Sequence, residues 1–209
     1  MNVYENSKMK IKRLILGSFS TNTYIVTCLK TCESILIDAP AQAGVIEEEL
    51  NDTNLRYLIL THNHMDHIGA LREFQSKDFL LAAHPLDSDG LPYTVDMLLN
   101  DGDLINFGNI CVKVLHTPGH TRGSLCFKIE KVLLAGDSIF DGGPGRTGSP
   151  EAFRQIILSL EKKIFVLPDD TRIFPGHGEP TFLKKEKEEY KIFASRPHDP
   201  HLCGDVVWL

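Results

Sequence analysis

The chain has 209 residues, of which 42% are hydrophobic and 24% charged, and its formal net charge is −6. This composition is that of an ordinary folded protein with a sizeable core, which excludes disordered and fibrous classes. The acidic balance, and the lack of a basic block free of acidic residues, argue against nucleic acid and anionic membranes as partners.

The first segment, MNVYENSKMK (residues 1–10), lacks the apolar stretch that a signal peptide requires and is expected to be flexible. The apolar runs elsewhere have the length of β-strands and fall far short of the ~20 residues of a membrane-spanning helix. Five scattered cysteines contain no C-x-x-C pair, so we expect reduced thiols. Together these features predict a cytoplasmic protein.

Short apolar runs typical of β-strands recur along the chain, from NTYIVTC and SILIDA to KVLLAG and TRIFPG. Turn signals such as NDGD indicate antiparallel hairpins in the middle of the chain. Pro150 followed by Glu151 suits the start of a helix, because proline needs no N–H there and an early acidic residue matches the helix dipole. Helices are predicted over residues 44–52, 67–75, 150–163 and 182–194. The pattern predicts a mixed α and β domain with many strands.

Four of these apolar runs end in a small turn that is followed by a residue able to bind a metal. LRYLIL leads into HNHMDH, ICVKVLHTPG into His120, KVLLAG into Asp137 and TRIFPG into His177. Residues at the ends of separate strands converge when the strands share a sheet edge, where active-site loops commonly lie. We therefore consider these residues as one candidate site.

The block HNHMDH places four potential ligands within six consecutive positions. His62 and His64 are two residues apart and can point to the same cation from an extended chain. Asp66 and His67 lie at the turn into a helix and can face a second cation. A lone histidine at a strand end is usually an ordinary polar residue, but this crowding of imidazole and carboxylate groups is difficult to explain without a bound metal.

The complete candidate set contains five histidines and two aspartates: His62, His64, Asp66, His67, His120, Asp137 and His177. With one carboxylate shared, seven ligands give each of two metals four protein contacts and leave room for a bridging water. The sequence therefore predicts two divalent metal ions per chain. Imidazole and carboxylate ligands suit Zn²⁺, which is the expected metal, and also iron or manganese.

The chain resembles the metallo-β-lactamase superfamily in its HNHMDH, PGHT, GDSIF and PGHG segments. The resemblance covers nearly the whole chain, since TNTYIV and ILIDA are similar to the opening strands of that family. It implies an α+β fold, a four-layer αββα sandwich with the metals at one edge of the two facing sheets. Residues 1–209 are expected to form one such domain, in which residues 180–209 form a helix and a tail without a separate glutathione-binding domain.

The resemblance also divides the ligands between the two metals. One metal would be held by three histidines: His62, His64 and His120. The other would be held by an aspartate and two histidines: Asp66, His67 and His177. Asp137 would bridge the metals, and Asp66 would also be the catalytic residue that orients the attacking hydroxide and accepts its proton.

The GRT segment at residues 145–147 is similar to that of the hydroxyacylglutathione hydrolases, in which an arginine after the bridging aspartate lies near glutathione. Arg146 matches it and is the candidate substrate-binding residue. The expected activity is hydrolysis of a hydroxyacylglutathione-like thioester, or another activated ester, by a metal-bridging hydroxide. The alternatives are a persulfide dioxygenase with a single iron, and a lactonase. The expected partner is a small-molecule substrate, and the sequence leaves homo-oligomerisation open.

Four other histidines are not assigned to the metals. His84 and His116 are expected to have structural roles near strand ends, while His198 and His201 are expected to be exposed in the tail. A tail folded back over the site could present Arg196 or His198 to a substrate, but we do not expect this arrangement.

Overall fold

The structure, a computed structural model, describes residues 1–74, 78–89 and 91–209. A seven-stranded sheet contains the first half of the chain, and its strands are adjacent in the order in which they occur in the sequence. The strands are β1 (Asn2–Glu5), β2 (Met9–Leu16), β3 (Thr21–Cys28), β4 (Glu33–Ile37), β5 (Asn54–Ile59), β6 (Leu80–Ala83) and β7 (Met97–Leu98). Pairing is antiparallel from β1 to β4 and parallel from β4 to β7.

The second half of the chain supplies a six-stranded sheet and a two-stranded hairpin. The strands are β8 (Leu104–Phe107), β9 (Ile110–His116), β10 (Leu125–Ile129), β11 (Val132–Gly136), β12 (Ile139–Phe140), β13 (Gly143–Pro144), β14 (Arg172–Pro175) and β15 (Thr181–Phe182). The sheet has the order β15-β14-β11-β10-β9-β8, and β12 pairs with β13 in the hairpin. Only the β11–β14 pair of the described sheet is parallel, so the ends of β11 and β14 point to the same edge.

Helices flank the sheets and occupy most of the positions predicted for them. They are α1 (Ala43–Leu50), α2 (Met65–Ile68), α3 (Pro85–Ser88), α4 (Pro150–Ser159) and α5 (Leu183–Ala194). A π-helical turn, Leu160–Ile164, continues α4. The Ser149 side chain accepts a hydrogen bond from the Ala152 N–H and caps α4, with Pro150 in its first turn as expected.

The prediction of a single helix over residues 67–75 was wrong. The structure contains α2 followed by a separate 3₁₀ turn, Leu71–Phe74, and residue 75 lies outside the described residues. The helix stops because the Ala70 N–H donates to the Ala39 carbonyl at 2.9 Å instead of continuing the helical pattern. Gly69 lies against Pro40 at the same point, where a Cβ would stand 2.3 Å from the proline carbonyl oxygen.

Three buried apolar clusters show how these elements are layered. The largest fills the space between the sheets and includes Ile35 of β4 and Phe127 of β10. A second cluster joins the first sheet to α1, where Ile46 is fully buried. A third joins the second sheet to α4 and α5 and includes Ile156. Two facing sheets with helices on both outer surfaces confirm the predicted α+β fold, the four-layer αββα sandwich.

Residues 1–10 do not form the flexible segment expected from the sequence. Asn2–Glu5 pairs in antiparallel fashion with β2, and Met9 is buried at the start of that strand. The segment MKIKRLIL alternates between buried and partly exposed side chains along most of its length, the pattern of a strand with one face on the core. In the sequence, the alternation of apolar and charged residues in MKIK is a signal for β2, whereas NVYE of β1 has no such alternation and its pairing with β2 is seen only in the structure.

The inter-sheet cluster predicts a large loss of stability for Phe127→Ala. Phe127 has no exposed surface, so the substitution removes buried contacts and leaves a cavity, which should lower the free energy of unfolding by about 3–5 kcal/mol. Urea denaturation measures this change. The matched control is Phe19→Ala, because Phe19 is 71% exposed and should shift stability by less than about 0.5 kcal/mol. Equal losses in the two variants would contradict this account of the core.

Candidate metal centre

The candidate ligands lie where strand ends from both sheets meet. The segment after β5 carries HNHMDH, and the turns after β9, β11 and β14 carry His120, Asp137 and His177. Backbone hydrogen bonds join the sheets at this edge. The Leu125 N–H donates to the Thr61 carbonyl at 2.8 Å, and the Asn22 N–H donates to the Gly176 carbonyl at 2.7 Å. Direct contact between the sheets therefore brings together candidate ligands that are far apart in the sequence.

Three histidines form the first group of potential ligands. The Nε2 atom of His120 lies 3.3 Å from Nε2 of His62 and 2.9 Å from Nδ1 of His64. All three residues offer nitrogens that lie within 4.8 Å of one another. Burial lowers the pKa of both His62 and His64, and the neighbouring imidazoles lower it further. Neutral imidazoles in this arrangement are suited to donate their lone pairs to one cation.

An aspartate and two histidines form the second group. His177 Nε2 lies 3.1 Å from Oδ2 of Asp66 and 3.3 Å from Nε2 of His67. The distance from His67 Nε2 to Asp66 Oδ2 is 3.6 Å. The ligand atoms of these residues also lie within 4.8 Å of one another. This group, like the first, could hold a metal ion.

Asp137 lies between the two groups. Its Oδ2 atom is 3.5 Å from His120 Nε2 and 3.6 Å from His177 Nε2, and its Oδ1 atom is 3.4 Å from His67 Nε2. Burial alone would raise the pKa of this carboxyl, but the surrounding histidines hold it well below its usual range. Asp137 Oδ1 is buried without a hydrogen-bond partner among the described residues. An ionised oxygen that accepts no hydrogen bond suits a cation, so Asp137 fits the role of a ligand shared by two metal ions.

Backbone carbonyls contact two of the imidazole rings at Nδ1, on the side of the ring that faces away from the site. His120 Nδ1 lies 2.8 Å from the Arg146 carbonyl oxygen, and His177 Nδ1 lies 3.2 Å from the Phe19 carbonyl oxygen. A carbonyl oxygen can only accept, so each Nδ1 carries the proton and donates it. The Nε2 atom of each ring is left with a lone pair directed into the site.

Asp38, which sequence reasoning did not assign to the site, orients two further rings. Its Oδ2 atom accepts hydrogen bonds from His67 Nδ1 at 2.7 Å and from the Thr61 hydroxyl at 2.8 Å, while Oδ1 accepts from the Thr61 N–H at 2.7 Å. The Thr61 oxygen lies 3.0 Å from His62 Nδ1 and can accept from it in turn. Asp38 directly follows the apolar run ILI (residues 35–37), so it follows the same strand-and-ligand pattern that identified the metal-binding candidates.

The position of His67 between carboxylates couples metal binding to a proton. Burial by itself lowers the pKa of His67, but Asp38 on one side and Asp137 on the other raise it to about 10. In the metal-free protein the ring is therefore protonated at neutral pH. A cation at Nε2 would take the place of that proton, so metal binding would release a proton and weaken as the pH falls.

Two glycines allow the backbone to approach Asp137 closely. A Cβ on Gly176 would stand 2.1 Å from Asp137 Oδ1 and 2.8 Å from His67 Cε1. A Cβ on Gly145 would stand 1.7 Å from the Asp137 carbonyl oxygen. Any larger residue at either position must move the chain or the carboxylate, so these glycines are part of the frame of the site.

A cleft of about 310 Å³ opens beside the metal-binding candidates. His120, Asp137 and His177 line it together with Arg146, whose side chain is 74% exposed. The Arg146 Nε atom lies 3.5 Å from Oδ2 of Asp205. The structure thus brings the predicted substrate-binding arginine next to the candidate ligands.

The C-terminal tail also lines this cleft, through Asp205, Val206 and Val207. Gly204 pairs with Thr147, and the Trp208 N–H donates to the Gly142 carbonyl at 2.8 Å. The tail folds back against the domain, with the Trp208 side chain buried against α5, but His198 and His201 are exposed as expected. The residues that reach the cleft are also different from Arg196 and His198.

The remaining histidines lie outside the candidate centre. His84 Nδ1 accepts from the Leu86 N–H and caps α3, and its ring stacks on that of His116 with centroids 4.0 Å apart. These contacts confirm the structural roles predicted for both. His198 in the tail stacks on Phe193 with centroids 3.8 Å apart and bonds to its carbonyl.

The family of the chain follows from its sequence as well as from this geometry. The profile of the metallo-β-lactamase superfamily matches residues 16–177, a span that includes every candidate ligand. The chain belongs to the metallo-β-lactamase superfamily. Members of this superfamily bind metal ions and are mostly metal-dependent hydrolases. Within the described residues, no helix has the length and apolar character needed to cross a membrane.

Individual members of the superfamily give a finer comparison. The chain is similar to a hydroxyacylglutathione hydrolase of Haemophilus influenzae, with 35% identity over 172 residues that cover 71% of this chain and 80% of that enzyme. It is also similar to ETHE1 from Myxococcus xanthus, with a TM-score of 0.77, 28% identity, and coverage of 90% and 85%. TTHA1623, solved in a di-iron-bound form, has a TM-score of 0.71 at 29% identity, covering 84% of this chain and 96% of that one.

The close approach at Gly176 predicts a specific loss of metal binding in Gly176→Ala. The added methyl group would displace Asp137 Oδ1 and should weaken metal affinity by about 10–100-fold, the range found when the surroundings of metal ligands are altered. Titration with Zn²⁺ against a chelating dye measures the affinity. Gly148→Ala is the control, because a Cβ there would meet nothing within 4 Å and the affinity should be unchanged. Similar affinities for the two variants would show that the approach at Gly176 is not needed.

Proposed function

We propose that this superfamily member is a binuclear metal-dependent hydrolase that cleaves a thioester of the hydroxyacylglutathione type or a related activated ester. The observation that carries the proposal is the position of Asp137, whose buried carboxylate faces both groups of potential ligands. Two histidine-containing groups that share a carboxylate are suited to two cations rather than one. The similarity to the Haemophilus hydroxyacylglutathione hydrolase supports the substrate class.

The proposed ligands of the first ion are three histidines: His62, His64 and His120. Those of the second are an aspartate and two histidines: Asp66, His67 and His177. Asp137 is the proposed shared ligand. Zinc is the proposed metal because these nitrogen and oxygen donors suit it, and the di-iron form of TTHA1623 is the reason to test for iron as well.

Bound cations would supply hydroxide from water near neutral pH and a positive field at the carbonyl oxygen of the substrate. The residues of the chain position this chemistry. Asp66 is the proposed catalytic residue because its carboxylate is partly exposed and can orient the water and accept its proton. Thr21 donates a hydrogen bond to Asp66 Oδ2 at 3.2 Å and restricts the rotation of that carboxylate.

The charge of Arg146 supports a small-molecule substrate with an anionic thiol portion. The exposed guanidinium of Arg146 lines the same cleft as His120, Asp137 and His177, so one substrate can reach both. A thiolate leaves without being protonated, so a thioester needs no separate general acid in the site. Thioesters are for this reason better suited to the proposed machinery than amides.

Persulfide dioxygenase activity is the second candidate, and the similarity to ETHE1 over 90% of the chain favours it. That reaction uses one iron held by two histidines and an aspartate. The presence of seven converging candidate ligands favours the hydrolase, because three ligands would be sufficient for the dioxygenase. The two activities differ in the number and identity of the metals and in the consumption of oxygen.

Metal analysis of the purified protein separates these candidates. The hydrolase predicts about two metal ions per chain and turnover of a hydroxyacylglutathione thioester, whose loss of absorbance reports cleavage. One iron per chain, oxygen uptake with glutathione persulfide and no thioester cleavage would replace the proposal with the dioxygenase. Both readouts are taken on the same preparation so that metal content and activity can be compared directly.

Asp137→Ala tests the shared ligand. Removing a carboxylate that faces both groups should lose metal from both positions, because each ion loses a negatively charged donor. Elemental analysis after dialysis measures the number of ions retained per chain. Asp170→Ala is the control, since Asp170 is an exposed partner of Lys131 and should leave both ions bound. Retention of both ions in the Asp137 variant would refute the shared role.

Arg146→Met tests the substrate class. Loss of an exposed charged contact of about 1 kcal/mol should raise KM for hydroxyacylglutathione about fivefold and leave kcat nearly constant. Steady-state kinetics with an uncharged thioester should show no change, because that substrate has no carboxylate to bind. The control is Arg154→Met, where Arg154 pairs with Glu151 on α4. Equal effects on charged and uncharged thioesters would exclude Arg146 from charge recognition.

A further inference from the structure

One buried carboxylate that belongs to neither ligand group lies behind the three-histidine group. Asp87 of α3 is only 3% exposed, and both of its oxygens accept hydrogen bonds. Its Oδ1 atom accepts from the Gly123 N–H at 2.8 Å, and its Oδ2 atom accepts from the Thr121 hydroxyl at 2.7 Å. Thr121 immediately follows His120, so Asp87 is bonded to the turn that carries this ligand.

The packing around Asp87 is close and the turn is cross-linked internally. A Cβ on Gly123 would stand 2.6 Å from the carboxyl carbon of Asp87, so only glycine allows this contact without movement. Ser124 Oγ accepts from the Thr121 N–H at 3.0 Å, and the Gly119 N–H donates to the Thr121 carbonyl at 2.9 Å. With these bonds in place, fixing Thr121 also fixes the backbone on both sides of His120.

The same short helix contacts the segment that carries the other two histidines. The Asn63 side-chain amide donates to the backbone carbonyl oxygen of Asp87 at 3.2 Å, and Asn63 lies between His62 and His64 in the sequence. The His84 cap holds the helix start in place. All three histidines of the first group therefore lie on segments that α3 touches directly, although His120 follows His64 by 56 residues in the sequence.

We infer that Asp87 is a positioning residue for the ion bound by His62, His64 and His120. It holds the turn at residues 121–123 so that His120 Nε2 remains beside the other two nitrogens. The second group, which consists of Asp66, His67 and His177, is held by other contacts. These come from Thr21, Asp38 and the Phe19 carbonyl. The inference rests on the proposed two-metal centre and adds that Asp87 governs one of its two positions.

The test compares Zn²⁺ affinities at the two positions in three variants. In Asp87→Ala the turn loses both bonds, and one of the two ions should bind about tenfold more weakly, while the other keeps its affinity. Asp87→Asn keeps an acceptor for the Gly123 N–H and should recover most of the affinity. Thr121→Val removes only the hydroxyl contact, so its effect should be smaller than that of Asp87→Ala. Competition with a chelating dye, fitted to two sites, measures all of them.

Glu186→Ala is the matched control. Glu186 of α5 is also a fully buried carboxylate that accepts from one glycine N–H and one threonine hydroxyl, those of Gly142 and Thr181, at 3.0 and 2.8 Å. Its loss should lower stability to a similar degree and leave both Zn²⁺ affinities unchanged. This control distinguishes loss of positioning from general destabilisation.

Each outcome decides between separate claims. A wild-type protein that binds fewer than two Zn²⁺ ions would refute the two-metal centre itself. A wild-type protein that binds two, with Asp87→Ala binding both at wild-type affinity, would refute the positioning role alone. The positioning role would also be overturned if Asp87→Ala lowered the affinity for both Zn²⁺ ions equally, or if Glu186→Ala lowered the affinity for one of them. If Asp87→Ala does not fold, the Zn²⁺ affinities of Asp87→Asn and Thr121→Val are compared with those of wild type. Weaker binding of one ion in these variants supports the positioning role, and wild-type affinity for both ions in both variants overturns it.

Discussion

The buried carboxylate of Asp137 is the constraint on which the rest of the site depends. It is ionised, it lies within 3.6 Å of three imidazole nitrogens, and Oδ1 has no hydrogen-bond partner among the described residues. A charge in such a place is unfavourable unless positive charge compensates it. Protonated His67 provides that charge in the metal-free protein, and cations would provide it in the metal-bound protein. Folding therefore assembles a site whose electrostatic balance depends on what is bound.

Four of the five candidate histidine ligands are oriented by contacts on the side of the ring that faces away from the site. Backbone carbonyls, Asp38 and Thr61 accept hydrogen bonds from their Nδ1 atoms, so their Nε2 atoms already face the site. These partners come from loops of both sheets. In the αββα sandwich, the contact between the two sheets thus sets the distances between candidate ligands that are far apart in the sequence. The closeness of Gly176 to Asp137 belongs to the same frame.

Much of the fold and of the candidate ligand set could be predicted because their signals are local. HNHMDH concentrates four donors in six positions, and the later ligands each follow an apolar strand and a small turn. Asp38 and Asp87 carry weaker signals, since a single aspartate after a strand or before a turn is common in proteins without metals. The broken helix at residues 67–75 depended on a hydrogen bond from Ala70 to Ala39, which no local pattern reveals.

The sequence by itself determined the chemistry of the donors, the family and the alternation of strands and helices, because these depend on residue type and on spacing along the chain. Tertiary structure decided which nitrogen of each ring faces the site, that Asp137 lies between the two groups of candidate ligands, and that Asp205 to Val207 rather than Arg196 or His198 line the cleft. The physical reason is distance in sequence. The pairing of Gly204 with Thr147 and the burial of Trp208 against α5 depend on packing between remote elements, and such packing leaves no periodic trace in either segment.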